Sequence, residues 1–169
     1  IELGKSGIEV PTIAVGCMRI SNMSKESMAV FINTAIENGA YFFVDGAQGA
    51  GVIELDMKKQ GIDCLCIPGH KGLLGPMGTG ALLHKNLEFS TIIEGGTGSK
   101  SFDFSQPEAY PERLESGTLN VPCICGLRKG VEIVEAMGVK RIFAKETKLS
   151  ETIFNGLKKM PKVTLYREN

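Results

Sequence analysis

Apolar runs and helical patterns alternate along this chain, and two of the runs lead directly into polar residues. Ala40–Val44 is an almost wholly apolar run followed by Asp45, and Ile62–Ile67 precedes the tripeptide Gly69-His70-Lys71. A run such as Ala40–Val44 is typical of a strand that is covered on both faces. The alternation predicts an α/β class, in which ligands collect at the carboxyl ends of the strands.

Capping residues and apolar periodicity predict three helices. Ser24 is expected to cap the first, which ends before Gly39. Asn120 is expected to cap the second, with Pro122 in its first turn and Gly138 at its end. The third is expected over Val139–Lys159. The apolar face of the first helix comprises Met28, Phe31, Ile32, Ala35 and Ile36, and the buried positions of the third are Ile142, Phe143, Leu149, Ile153, Phe154 and Leu157.

Further strands are predicted from short apolar segments. They are expected at Ile13–Gly16, Ile62–Ile67, Ala81–His84 and Val163–Tyr166. Val52–Leu55 is either a strand or the edge of a turn. Gly69–Gly80 is a glycine-rich loop, which is either a simple surface turn or a segment whose backbone approaches a ligand closely.

Charge and cysteine content exclude several classes of protein. The 169 residues contain 19 Lys+Arg and 19 Asp+Glu, so the formal net charge is zero. A neutral chain argues against a nucleic-acid partner or an anionic membrane surface, and no apolar run approaches the roughly 20 residues of a membrane span. Five cysteines are an odd count without the density of a disulfide scaffold, which predicts a reducing cytoplasmic location.

The residues around the two apolar runs resemble a known family. The text VDGAQGAGVIELDMKKQGIDCLCIPGHKGLLGPMGTGAL, Val44–Leu82, is similar to the class V aminotransferase and cysteine desulfurase family. Aspartate, glutamine, histidine and lysine occur in the order of that family and at similar spacing. The resemblance covers Val44–Asn169 and implies part of the large domain of a pyridoxal-phosphate enzyme of fold type I.

The resemblance implies a role for each of four residues. Lys71 would form the Schiff base with pyridoxal 5'-phosphate and later move the α-proton of the substrate. Asp45 would hold the pyridine nitrogen protonated, Gln48 would bond the phenolic oxygen, and His70 would contact the phosphate. The plain alternatives are an exposed lysine in a turn, a loop or capping aspartate, a surface glutamine and a loop histidine.

A second glycine motif extends the resemblance. Gly95-Gly96-Thr97-Gly98 is similar to a family loop that reaches the phosphate of the neighbouring subunit, which implies a homodimer and adds Gly96 and Thr97 to the cofactor-binding residues. Arg113 with Ser116–Thr118 is similar to a stretch near the dimer interface and the substrate entrance. A structural turn explains that stretch equally well.

The beginning of the chain resembles a different family. Leu3–Ser21 and Phe31–Phe43, which read LGKSGIEVPTIAVGCMRIS and FINTAIENGAYFF, are similar to the opening of an aldo-keto reductase. That resemblance implies a βαβ start of a (β/α)8 barrel over Ile1–Phe43. The chain is therefore predicted to be a chimera of a reductase-like segment, Ile1–Phe43, and a partial transferase domain, Val44–Asn169.

The paired cysteines do not predict a metal site. Cys64-x-Cys66 and Cys123-x-Cys125 are spaced more closely than the thiolate pairs of zinc sites. Cys64 and Cys66 are expected to fill core space as small apolar groups, and Cys17 is expected to be structural.

Three functions remain open at this point. The first is a pyridoxal-phosphate-dependent enzyme acting on a small amino acid, a cysteine desulfurase or class V aminotransferase by resemblance. The second is a catalytically inactive α/β module, because parts of the cofactor cage of that family have no counterpart in this chain. The third is an aldo-keto reductase remnant, although no tyrosine accompanies Asp45 as that family requires.

Overall fold

A computed structural model describes residues 20–98, 100 and 102–166. They form two compact units, one drawn from residues 20–42 and 86–119 and the other from residues 43–85 and 120–166. The predicted strand Ile13–Gly16 and Cys17 lie outside the described residues. The mixed α/β class is confirmed, because each kind of element is present and they alternate along the chain.

A three-stranded sheet organises the second unit. Its strands are β1 (Phe43–Asp45), β2 (Cys64–Pro68) and β3 (Gly80–His84), in the order β1-β2-β3. β1 is parallel to β2, with Asp45 opposite Cys66, and β3 is antiparallel to β2, with Gly80 opposite Pro68. The strands predicted near Ile62–Ile67 and Ala81–His84 are confirmed, with small shifts of their ends.

β1 is shorter and more exposed than its apolar sequence suggests. The strand begins only at Phe43, whose side chain is 53% exposed. β1 lies at the edge of the sheet and has β2 on one side only. The prediction that both faces of Ala40–Val44 are covered is therefore wrong. An apolar run is stable in a buried position, but whether it is buried depends on other parts of the protein.

Two helices precede the main helical pair. In the first unit, α1 (Lys25–Glu37) is capped by Ser24, whose Oγ accepts a hydrogen bond from the Ser27 N–H at 3.1 Å, as predicted. Its apolar face is half-buried except at the more exposed Ile36. In the second unit, Asp56 caps the short helix α2 (Met57–Gln60), which the sequence pattern did not predict. Val52–Leu55 forms a turn without a strand.

Helices α3 (Val121–Met137) and α4 (Val139–Leu157) complete the second unit. Asn120 caps α3 by accepting the Cys123 N–H at 3.3 Å, and Gly138, with φ of 79°, separates the two helices as predicted. Val163–Tyr166 forms no strand, so that prediction is wrong. No strand of the described sheet extends to that segment to pair with it.

The buried positions predicted for α4 are wrong in part. Ile142, Phe154 and Leu157 are half-buried, while Phe143, Leu149 and Ile153 are 51%, 55% and 63% exposed. The helix is amphipathic as predicted, and within its unit α3 and the turn near Val52 lie beside it. Its apolar stripe therefore remains largely in contact with water.

The second unit has a small buried core. Its members are the buried apolar residues Ala50, Ile62, Cys64, Leu65 and Val134. Three of them belong to β2 or the turn before it, so β2 is the best-buried element of the unit. In the described part of the chain, no helix combines the length and apolarity that a bilayer crossing requires.

Candidate active site

The parallel pairing of β1 and β2 gathers the predicted residues at one edge of the sheet. Asp45 is the last residue of β1, and Gly69-His70-Lys71 follows directly after β2. The Gly46 N–H donates to the Cys66 carbonyl at 2.8 Å and extends the ladder by one bond beyond β1. Because parallel strands end at the same edge, Asp45, Gln48, His70 and Lys71 all belong to the loops at that edge.

The segment 46–51 after β1, here called the aspartate loop, begins with a turn that uses the predicted carboxylate. Oδ1 of Asp45 accepts the Ala47 N–H at 2.8 Å, the contact of an Asx turn. The Ala50 N–H then donates to the Gly46 carbonyl at 2.9 Å. Asp45 and Gln48 are both exposed, and within the described chain Oδ2 of Asp45 accepts no hydrogen bond. One carboxylate oxygen therefore stabilises the turn while the other faces no protein donor.

The segment 69–79 after β2, here called the lysine loop, is tied together by its own backbone. The Gly69 N–H donates to the Thr79 carbonyl at 2.7 Å, and the Gly75 N–H donates to the Gly69 carbonyl at 2.7 Å. Between them, the Leu74 N–H donates to the Lys71 carbonyl at 2.9 Å. The carbonyl of Lys71 is thus held in a closed turn, although its side chain is exposed.

The two loops touch through facing glycines. A β-carbon at Gly51 would overlap the carbonyl of Gly72 and lie 3.2 Å from the Leu73 nitrogen. A β-carbon at Gly72 would in turn overlap the Ala50 carbonyl and lie 3.1 Å from Cγ2 of Val52. Only residues without side chains allow such a backbone approach. The contact fixes the aspartate loop and the lysine loop against each other.

His70 and Lys71 present their side chains to solvent. Both residues are exposed, and no described residue forms a hydrogen bond or ion pair with the imidazole or the amine. The histidine and the lysine are therefore available to a ligand, but the unit does not enclose them.

The donor set at this edge fits pyridoxal phosphate chemically. Within the described chain it offers one carboxylate oxygen that accepts no hydrogen bond, one amide, one imidazole and one primary amine, on two loops that are packed together. An amine for the aldehyde and a carboxylate for the ring nitrogen are the groups that the cofactor requires of a protein. The fit concerns the donors and not an enclosed pocket, because all four side chains are exposed.

Gly96 and Thr97 lie in the other unit, in a segment held by a glutamine. The Gly95 N–H donates to Oε1 of Gln106 at 3.3 Å, while Nε2 of Gln106 donates to the carbonyls of Glu112 and Glu115 at 2.8 and 2.7 Å. Gly96 is exposed and Thr97 is half-buried. Sequence reasoning missed Gln106, because its bonds span 6 to 11 residues and no local pattern predicts them.

The two family-like motifs of this unit lie side by side. A β-carbon at Gly95 would lie 3.5 Å from both the Gly117 nitrogen and the Ser116 β-carbon, so the glycine motif lies beside the turn at Ser116–Thr118. Arg113 pairs with Glu88, Nη1 to Oε2 at 3.3 Å, and lies 5.8 Å from the centre of the Tyr110 ring. Both contacts of Arg113 lie within this unit.

The cysteines are all free in the described chain and differ in burial. Cys64 is buried, and this burial raises the pKa of its thiol, so it behaves as the predicted core residue. Cys66 is exposed, which corrects the prediction that it also fills the core. Cys123 is half-buried and Cys125 is exposed. No cluster of three or more potential metal ligands occurs among the residues that the structure describes.

Comparisons with known proteins identify one family along nearly the whole chain. The family model described as aminotransferase class V matches residues 8–169. A probable cysteine desulfurase of Pyrococcus abyssi is 38% identical over 130 residues, which cover 72% of this chain and 31% of that protein. The match begins inside the segment predicted to be reductase-like, and the comparisons do not show the aldo-keto reductase resemblance.

Solved structures give the same result. The apo cysteine desulfurase of Thermococcus onnurineus NA1 is 34% identical with a TM-score of 0.58, and the match covers 75% of this chain and 33% of that structure's chain. The cysteine desulfurase CsdA of Escherichia coli, in its S-sulfonic acid form, is 32% identical with a TM-score of 0.68, and the match covers 77% of this chain and 34% of that structure's chain. The chain thus spans about a third of the length of the relatives it matches.

Proposed function

Because the chain belongs to the class V aminotransferase family, we propose that it performs pyridoxal-phosphate-dependent chemistry on a small amino acid, with cysteine desulfuration as the leading reaction. The observation that carries this proposal is the parallel pairing of β1 and β2, which delivers Asp45 and Lys71 to one edge of the sheet. The cysteine desulfurases among the relatives and solved structures support cysteine as the substrate.

Each residue at this edge has a distinct task in the proposal. When bound, pyridoxal phosphate supplies an electron sink for negative charge that develops at the α-carbon of the amino acid. Lys71 holds the cofactor through its amine and later carries the α-proton. Asp45 keeps a proton on the ring nitrogen through its free Oδ2, Gln48 orients the phenolic side of the ring, and His70 binds the phosphate.

The site also needs residues beyond this unit. Asp45, Gln48, His70 and Lys71 are all exposed, whereas precise placement of reacting groups requires a site that surrounds them. In the proposal Gly96 and Thr97 contribute to the phosphate site of a second subunit, so the working form is a homodimer of fold type I. A reducing cytoplasm suits the free cysteines.

An inactive α/β module remains the competing function. It is favoured by one observation: Oδ1 of Asp45 caps its own turn through the Ala47 N–H, which is the structural role that any loop aspartate could have. A reductase-like segment over Ile1–Phe43, and with it the chimera, remains a prediction. The class V match from residue 8 favours one family instead, and binding of NADPH to the purified chain would restore the reductase hypothesis.

The decisive experiment is titration of the purified chain with pyridoxal phosphate, followed by borohydride reduction and peptide mapping. We expect label at Lys71 in the native chain and none at this position in Lys71→Ala. Lys58→Ala is the matched control, because Lys58 is an exposed lysine of the same unit, on α2. Label spread over the surface lysines in native chain and variants alike would contradict the proposal and favour the inactive module.

A positive result leads directly to an activity assay. Sulfide released from cysteine in the presence of an added thiol reductant would be measured with the unreduced chain loaded with pyridoxal phosphate and with Lys71→Ala, because borohydride reduction fixes the cofactor to the lysine and abolishes its chemistry. Cofactor capture at Lys71 without sulfide release would retain the cofactor site but exclude desulfuration by this chain alone.

A further inference from the structure

Helix α3 approaches the lysine loop through two glycines that are one turn apart. A β-carbon at Gly130 would overlap the carbonyl oxygen of Leu73 and lie 2.9 Å from the carbonyl carbon of Leu74. A β-carbon at Gly126 would lie 2.8 Å from Cγ of the Pro76 ring. Gly130 is buried, so the backbone of the loop occupies the space that a side chain on α3 would fill.

The part of the loop that rests on Gly130 is conformationally strained. Leu74 has a φ of 56°, a left-handed conformation that is unfavourable for a residue with a β-carbon. Such a conformation persists only when surrounding contacts hold it in place. The contact with α3 is such a restraint, and glycine in the middle of a helix is otherwise a poor choice because alanine forms helices better.

The strained residue is connected directly to Lys71. The Leu74 N–H donates to the Lys71 carbonyl at 2.9 Å, and the neighbouring Gly75 N–H donates to the Gly69 carbonyl at 2.7 Å. A displacement of Leu73 and Leu74 away from α3 would therefore open the turn that begins at Lys71. The backbone position of the lysine depends on how closely α3 approaches.

We propose that Gly130 is a positioning residue for Lys71. Its missing side chain lets α3 seat Leu73 and Leu74, and the seated turn holds the lysine at the edge of the sheet beside the aspartate loop. The purpose assigned to the amine rests on the proposed function. The seating of the loop on α3 is a property of this chain with or without a cofactor.

The test compares Gly130→Ala with Gly156→Ala in the full chain. Gly156 lies in α4, and a β-carbon there would meet nothing within 4 Å, so both variants add one methyl group to a helix. The first readout is hydrogen exchange of the Leu74 and Gly75 amides, which needs no cofactor. The second is the concentration of pyridoxal phosphate that gives half-maximal borohydride-trapped label at Lys71.

We expect the two variants to behave differently in both measurements. Gly130→Ala should speed exchange of the Leu74 and Gly75 amides about tenfold. Overpacking lowers the free energy of local opening, and a loss of the usual size corresponds to about that factor in the exchange rate. The half-maximal concentration of pyridoxal phosphate should rise by about the same factor. Gly156→Ala should leave both quantities unchanged, and the far-ultraviolet circular dichroism of both variants should match that of the native chain.

A rescue variant separates positioning from general damage. Leu74→Gly removes the penalty at φ of 56°, so the turn that begins at Lys71 can re-form beside the added methyl group, and the double variant Gly130→Ala/Leu74→Gly should recover label at Lys71. The Leu74 side chain is 58% exposed, so its removal costs little packing. A double variant that labels no better than Gly130→Ala alone would contradict positioning through Leu74.

The outcomes separate this inference from the proposed function. Unchanged exchange in Gly130→Ala would overturn the seating of the loop, and faster exchange with unchanged label would overturn the positioning of Lys71. Faster exchange in a chain whose native form takes no label would support the seating and overturn the cofactor site. Gly126→Ala, which presses on the Pro76 ring, replaces Gly130→Ala if that variant does not fold. It should speed exchange of the Gly75 amide by less than the factor expected for Gly130→Ala. No increase there would overturn the proposal.

Discussion

Asp45 combines a structural contact and a proposed chemical task, and two substitutions separate them. Oδ1 accepts the Ala47 N–H at 2.8 Å and stabilises the turn after β1, while Oδ2 is the oxygen assigned to the cofactor ring. Asp45→Asn keeps an oxygen that can accept the Ala47 N–H but removes the charge, because asparagine forms the same kind of turn. Asp45→Ala removes both.

The structural contact sets the expected change in the free energy of unfolding. A net hydrogen bond contributes roughly 0.5–1.5 kcal/mol, and Asp45 is exposed, so Asp45→Ala should cost about 1 kcal/mol. For a chain of this length that corresponds to a fall in Tm of about 2–4 °C. Asp45→Asn should remain within about 0.5 kcal/mol of the native chain.

The chemical task predicts a different ranking. A hydrogen bond to a charged group contributes roughly 1.5–3 kcal/mol, which corresponds to a roughly 10- to 150-fold weaker capture of pyridoxal phosphate. Both variants should show this loss, because neither retains the carboxylate. Stability would be measured by urea unfolding and capture by borohydride-trapped label at Lys71.

Two results would refute this reasoning. If Asp45→Asn captures the cofactor as well as the native chain, the carboxylate does not serve the ring nitrogen and Asp45 is only a turn residue. If Asp45→Asn loses as much stability as Asp45→Ala, the charge rather than the turn contact stabilises the loop.

Two further predictions concern the contacts that hold the loops and the short helix. Gln106→Leu should destabilise the segment around Gly95 by roughly 1–3 kcal/mol, because it leaves one N–H and two carbonyls without their partner. The Gly95 amide should exchange faster in Gln106→Leu than in Gln106→Glu, which keeps the acceptor, and equal exchange in the two variants would contradict the prediction. The Lys59 N–H lowers the pKa of Asp56 below its usual value of 3.8. The stability that the Asp56 carboxylate gives to α2 is therefore present above that pH and is lost as the pH falls through the lower folded-state pKa. Protection of the Lys59 amide should decline in this pH window in the native chain and not in Asp56→Asn.

Local chemistry made part of this fold predictable. Ser24 and Asn120 cap their helices through the side-chain contacts that their residue types favour, and Gly138 ends α3 with a positive φ. The edge of the sheet that carries Asp45 and Lys71 was also predictable, because each follows an apolar run that forms a strand. These features depend on a few neighbouring residues and need no knowledge of the rest of the protein.

The wrong predictions all concern burial or pairing by distant residues. Phe43, Phe143 and Ile153 have the apolar character of buried positions, yet no layer of the described chain covers them. Val163–Tyr166 has strand-like composition but no partner strand. No local pattern indicated Gln106 or Gly130 either, since Gln106 bonds residues 6 to 11 positions away and Gly130 lies against Leu73 and Leu74. The pattern of one segment indicates whether it favours burial or strand pairing. Whether it is buried or paired depends on contacts with the rest of the folded chain.

The exposed stripe of α4 has a consequence for the heat capacity of unfolding. Apolar surface that is already hydrated in the folded chain adds nothing to the heat-capacity increment, which measures newly exposed apolar area. Phe143, Leu149 and Ile153 remain more than half in water, so α4 contributes little to the curvature of the stability curve or to its denaturant dependence. The helix therefore opens at a lower free energy than β2, whose buried residues dominate the cooperative transition.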